Sequence, residues 1–250
     1  MGAAHWGWWA AGLGMGLAVG AVAVMLAARA AEPAAPQGKA AMERMVKETI
    51  LANPEIIPEA ISRLQQREVE KLLASNREAI ETPYEGAWAG AADGDVVLVE
   101  FFDFNCPYCR QSVADVERLL AEDKRLKVVW RDLPVLGPDS ERFARASLSA
   151  ARQGRYQRFY RDVFKGQGAL SQERLIRHVR AAGLDEAEVV RDMNAKTTEA
   201  QLQGNLDLGQ ALGLTGTPSY VIGNRILSGA VGYEELKAAI AEVRKAARPS

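Results

Sequence analysis

"VVLVEFFDFNCPYCRQSV", residues 96–113, decides the fold. It starts as an unbroken apolar run, turns at Asp-Phe-Asn, and then carries two cysteines two residues apart. A short apolar run before a turn reads as a buried strand. The residues from 106 onward read as a helix over 106–121, with Val113, Val116, Leu119 and Leu120 on its inner face. Pro107 suits the first turn of that helix, where a missing N–H leaves nothing unsatisfied. The pair therefore sits where a strand hands over to a helix.

That placement carries the chemistry. A reactive cysteine must be a thiolate, so its pKa must fall below about 8.5. Unpaired N–H groups and the dipole at a helix N-terminus favour negative charge there. Cys106 reads as the nucleophile. Cys109, one turn on, reads as the resolving thiol that displaces whatever Cys106 captures. The rivals are weaker. Structural zinc needs four ligands, whereas these are the chain's only two cysteines and its two histidines are His5 and His178. Haem attachment needs His after the second Cys, and Arg110 stands there. No bound metal or other cofactor is expected. Two inert core thiols would not account for the strand–CxxC–helix context.

Working outward, "LKVVWRDL" (126–133) reads as a second strand and "PVLGPDS" as a loop. About 140–212 is helical, cut by Gly154, Gly166, Gly168 and Gly183 into four or five helices. "PSYVIG" (218–223) and "RILSGA" (225–230) read as strands around a Gly-Asn turn, and a last helix covers 233–247. The expectation is an α/β sheet of four or more strands, with a parallel crossover first and an antiparallel ribbon later.

Towards the N-terminus the character changes. Trp6–Ala28 holds no charged residue and is about long enough to cross a bilayer. Residues 1–30 therefore read as a signal peptide or a membrane anchor. Both export the remainder, and an oxidising compartment suits the cysteines. Residues 31–40 read as a Pro- and Ala-rich linker. Residues 41–82 read as a helical arm, with Asn53-Pro54 as a break that caps and opens a new helix, and Pro58 close behind. Ile57, Ile61 and Leu64 share one stripe, extended less regularly by Val69, Leu72 and Ile80. So thin a seam needs partner helices. Self-association is the preferred reading; an arm lying on its own domain is the other. Residues 83–250 form the main domain.

In a chain of 250 residues, Lys+Arg 31 against Asp+Glu 32 leaves net charge −1, which offers no basic footprint for nucleic acid. In "ARQGRYQRFYRDVF" (151–164), Tyr156, Phe159, Tyr160 and Val163 fall at helical spacing as a core face, and the arginines read as solvated. His178 reads as a partly buried structural residue.

Strand–CPYC–helix, the next strand, the helical insertion and "TGTPSYVIG" together resemble the DsbA-type branch of the thioredoxin superfamily over residues 84–247. The stretch above, "LPVLGPDS", "LGLTGTPSYVIG" and "ILANPEIIPEAISRLQQRE" are most similar to the ScsC type, which carries an N-terminal oligomerisation segment. The resemblance implies a thioredoxin-like fold with a helical insertion. It implies a cis Pro218 beside the CxxC, preceded by Thr217, whose backbone pairs with substrate peptide. Glu100 occupies the place of a buried acid, with a raised pKa, that moves the Cys109 proton; an edge-strand Glu facing water is the alternative. Pro107 and Tyr108 fill the pair that tunes the redox potential. The partners so implied are cysteine-containing exported proteins and a membrane redox partner, in the periplasm. The activity implied is thiol-disulfide exchange, as isomerase or reductase by preference, as oxidase otherwise. A Cu(I)-binding copper-tolerance protein is the alternative from another class.

Overall fold

The computed structural model describes residues 38–247. Residues 1–30, expected as signal peptide or anchor, and most of the 31–40 linker lie outside them. Among the described residues, no helix is long and apolar enough to cross a membrane. The described chain divides into two compact units, residues 38–62 and 63–247.

Three helices come first: α1 (Lys39–Ala52), α2 (Ile56–Ser75) and α3 (Arg77–Glu81). The break lies at Asn53-Pro54, but Asn53 closes α1 rather than opening α2. Its side-chain amide and its backbone N–H both donate to Thr49 O. Pro58 is the third residue of α2, where no intrahelical N–H is lost. α1 buries none of its residues.

The sheet has five strands in the order β1-β3-β2-β4-β5. They are β1 (Trp88–Gly90), β2 (Val96–Phe102), β3 (Leu126–Asp132), β4 (Ser219–Ile222) and β5 (Arg225–Ser228). β2 and β3 are parallel, joined through α4 (Pro107–Glu122). β4 runs antiparallel to β2 and to β5, with Ile222 opposite Arg225 across the Gly223-Asn224 turn. The sequence reading places no strand ahead of β2, so β1 is an addition to it. It exists because its backbone pairs antiparallel with β3; three residues show no periodicity of their own. Between β3 and β4 come α5 (Pro138–Arg152), α6 (Tyr156–Lys165), α7 (Gln172–Ala182), α8 (Glu186–Met193) and α9 (Lys196–Ala211); α10 (Tyr233–Ala246) closes the fold. Gly183 ends α7 in the left-handed conformation, with Leu184 N–H returning to Val179 O.

Period-two alternation sorts the strands onto two faces. On one, Leu98, Phe102, Val128, Trp130, Tyr220 and Ile222 pack with Phe159, Tyr160, Val163 and α4. On the other, Val99, Phe101, Val129 and Val221 pack with Leu73, Ile80 and Leu208. Arg131 points to this second face, where its guanidinium donates to the carbonyls of Ala79, Ile80 and Thr82 and to Asn205 Oδ1. The inner face of α4 is rotated from the sequence reading. Cys109, Ser112, Val116 and Leu119 are buried, and Val113 and Leu120 flank them half-buried. The cysteine itself defines that face. Tyr156, Phe159, Tyr160 and Val163 are all buried on α6, and His178 is buried with Nδ1 2.7 Å from Asp162 Oδ2.

Candidate functional site

Cys106 is the N-cap of α4 and Pro107 its first residue. The chain leaves β2 at Phe102 and turns through Asp103. Cys106 N–H donates to Asp103 O, and Cys106 O accepts from Arg110 N–H. The Asp103 carboxylate is buried and accepts three backbone N–H groups: Asn105 at 2.7 Å, Val135 at 2.8 Å and Leu136 at 2.9 Å. It ties the approach to Cys106 to the loop after β3. Asp103 is not among the site residues expected from sequence; its signal was the Asp-x-Asn spacing of an Asx turn just ahead of the helix.

Both cysteines are free thiols. Cys106 keeps 5 % of its surface exposed and Cys109 none. Tyr108, between them, is 62 % exposed. The Cys106 thiol donates to Thr217 O at 3.1 Å, and the Thr217–Pro218 peptide bond is cis. Residues 111 positions apart thus meet because β4 lies beside β2 and starts at Ser219. Cys106, Cys109, Pro107, Tyr108, Thr217 and Pro218 are brought to one end of the sheet.

Glu100 is fully buried in the central strand β2. The register sets Trp130 on one side of it and Tyr220 on the other. Trp130 Nε1–H donates to Glu100 Oε2 at 2.9 Å, Tyr160 O–H to the same oxygen at 3.2 Å, and Tyr220 O–H to Oε1 at 3.5 Å. Burial pushes the Glu100 carboxyl up to about 7, against the pull of these three donors. Burial also raises the Cys109 thiol, and the Glu100 charge adds to the rise. The acid and the inner thiol therefore feel one another. None of the three donors was assigned to this site from sequence. Tyr160 read only as core, and Trp130 and Tyr220 only as strand residues.

A second buried carboxyl was also missed. Asp132, at the end of β3, accepts from Ser147 O–H at 2.7 Å and Tyr156 O–H at 3.3 Å. Burial raises it to about 7. Tyr156 stacks on Trp130, so the two acids share one aromatic wall.

A family model described as a DSBA-like thioredoxin domain matches residues 97–241, and one described as the copper resistance protein ScsC N-terminal domain matches residues 39–71. A thioredoxin-like oxidoreductase from Silicibacter pomeroyi is 38% identical, with TM-score 0.66, over 69% of this chain and 99% of that one. A linker-deletion mutant of Proteus mirabilis ScsC is 28% identical, with TM-score 0.68, over 85% of this chain and 99% of that one. Among curated relatives, a Na(+)/H(+) antiporter NhaA from Herminiimonas arsenicoxydans is 31% identical over 160 residues, which is 64% of this chain and 26% of the antiporter. The chain spans about a quarter of the length of the curated relatives it matches.

Proposed function

Because the chain belongs to the family of DSBA-like thioredoxin domains, we propose that it is an exported thiol-disulfide oxidoreductase acting on cysteine-containing proteins of the periplasm. The observation that carries this reading is the Cys106 sulfur at the start of α4, hydrogen-bonded to Thr217 O beside Pro218, with Cys109 buried one turn behind it.

The chemistry runs as two exchanges. The Cys106 thiolate attacks one sulfur of a client disulfide. A Cys106–client bond forms, and the other client sulfur leaves as a thiolate that takes a proton from water. Cys109 then gives its proton to Glu100 and attacks the Cys106 sulfur. The client's second thiol departs, leaving a Cys106–Cys109 disulfide. The client gains two electrons and the protein loses two. Burial makes Cys109 reluctant to ionise and raises Glu100 to about 7, so the acid accepts that proton near neutrality. In isomerisation the freed client thiolate instead attacks the mixed disulfide and regenerates Cys106. Thr217 offers backbone to an extended client segment. Exposed Tyr108, with Pro107, borders the reacting sulfur and tunes its potential.

The match of residues 39–71 to the ScsC N-terminal domain supports isomerase or reductase over dithiol oxidase, with copies joined through residues 41–82. A membrane redox partner would keep the pair reduced, and residues 1–30 would act as export signal or anchor. Ribonuclease reactivation tests the activity. Recovery from the scrambled form is expected to exceed recovery from the reduced form. The reverse result means oxidase, and no recovery in either arm overturns the reading. A second reading follows from that same family's description as a copper resistance protein: Cu(I) held between Cys106 and Cys109 as cargo. Stoichiometric Cu(I) uptake lost in Cys106→Ser, with ribonuclease unaffected by the wild type, would favour it.

A further inference from the structure

The Arg-rich stretch, which the proposed redox site does not use, lines a groove. α6 buries Tyr156, Phe159, Tyr160 and Val163. Helical periodicity therefore turns Arg155, Arg158, Arg161 and Lys165 together onto the opposite side. These four line a groove of about 680 Å³, whose other wall is the edge strand β1 through Trp88, Ala89 and Gly90. Gln157 Nε2 donates to Trp88 O at 3.2 Å and holds helix and strand together. Of the four cations, Arg161 alone has a carboxylate partner among the described residues, Glu117 at 2.6 Å. Asp162, the acid in the groove, is taken by His178. Arg155, Arg158 and Lys165 are exposed and make no ion pair among the described residues. In a protein of net charge −1, this is a local excess of positive charge beside a concave wall.

We infer that this groove docks an acidic, extended polypeptide segment of a partner protein. The dimensions select that occupant. From Arg155 to Lys165 the stripe runs about 15 Å along the helix, too far for one phosphate to bridge. Alternate side chains of an extended strand lie about 6.6 Å apart, so a run of acidic residues at every second position covers the length of the stripe, and long Arg and Lys side chains take up the uneven spacing of its cations. A bilayer surface is flat and does not enter a groove. The stripe also ends near the reacting thiols. The Arg110 guanidinium, on the residue after Cys109, donates to Phe164 O and Gly166 O on either side of Lys165. A segment seated here leaves the rest of its protein close to Cys106.

The test uses the full chain and a fluorescein-labelled Ser-Glu alternating dodecapeptide, followed by anisotropy. Binding is expected at 50 mM NaCl and is expected to vanish by 500 mM. R155E/R158E/K165E is expected to weaken it tenfold or more, and K124E/R191E, which reverses two charges elsewhere, to leave it within twofold. Should the triple reversal disturb far-UV circular dichroism or the thiol count, R158Q/K165Q removes two charges without reversal and is expected to cost severalfold. Absence of binding at 50 mM, equal loss in the triple and control variants, or capture of phosphatidylglycerol vesicles without capture of the peptide each overturns the inference. Cys106→Ser is expected to bind as the wild type does, so the outcome is independent of the redox reading.

Discussion

Leu64 and Leu73 stand on the same helix, α2, and meet opposite fates. Leu64 is 58 % exposed and Leu73 is 0 % exposed. Leu73 lies against Val99, Phe101 and Val129 on the second face of the sheet. The apolar residues upstream, Met42, Val46, Leu51, Ile57 and Ile61, stay as open as Leu64. A stripe of apolar residues is thus only an offer of a surface. The C-terminal part of α2 meets a sheet of its own chain, and the apolar residues before it stay exposed. Burial makes Leu73 part of the domain's stability; Leu64, exposed, contributes little to it, and the proposed self-association is what would use it.

Cys106→Ser makes the sharpest break in that contrast. It is expected to reduce ribonuclease reactivation to the uncatalysed level while the mass in light scattering stays unchanged, because the arm does not depend on the thiols. Loss of assembly in this variant would join two properties held here to be separate. Next in size, Leu73→Ala should lower the unfolding free energy in urea by about 2–5 kcal/mol, the usual cost of a cavity in a packed core. Leu64→Ala should move it by no more than about 0.5 kcal/mol and should instead lower the mass of the assembly. Equal destabilisation by the two would erase the comparison.

A comparable test inside the domain follows from Glu100. Its carboxyl titrates near 4.5 when unfolded and near 7 when folded. Between these values the folded state binds more protons, so its stability falls as pH rises through the window and is greatest below it. The shift corresponds to about 3 kcal/mol, and Asp132, also raised to about 7, adds to the same slope. Glu100→Gln should flatten the fall in urea midpoint between pH 5 and pH 8, and Glu100→Gln/Asp132→Asn should flatten it further. A slope unchanged in both variants would mean that neither acid titrates in this range. The smallest effect belongs to Glu100→Gln on exchange itself. Attack by Cys106 on a disulfide should persist, while release of the mixed disulfide by Cys109 slows. Rapid-quench trapping separates the two steps.

Much of the fold was legible. The apolar run of β2, proline at the first position of α4 and glycines near the helix ends are local signals, and they led to the strand–CxxC–helix unit, to four or five helices between β3 and β4, where the structure has five, and to the late hairpin. The misses share a cause. β1 exists through its pairing with β3, and the buried side of α4 depends on what lies beneath Cys109 and Ser112. Asn53 closed one helix instead of opening the next, because its side chain reaches back to Thr49 as easily as forward.

The sequence by itself determined most of the strands and helices, β1 excepted, and that two thiols stand one turn apart where a helix begins; these depend on spacing and backbone geometry within a few residues. Only the tertiary structure decided what surrounds them. The donors to Glu100 arrive from 30, 60 and 120 positions away, and the carbonyl on Cys106 from 111. Desolvation and hydrogen bonding are sums over neighbours in space, and chain order alone does not say which residues a sheet will set side by side.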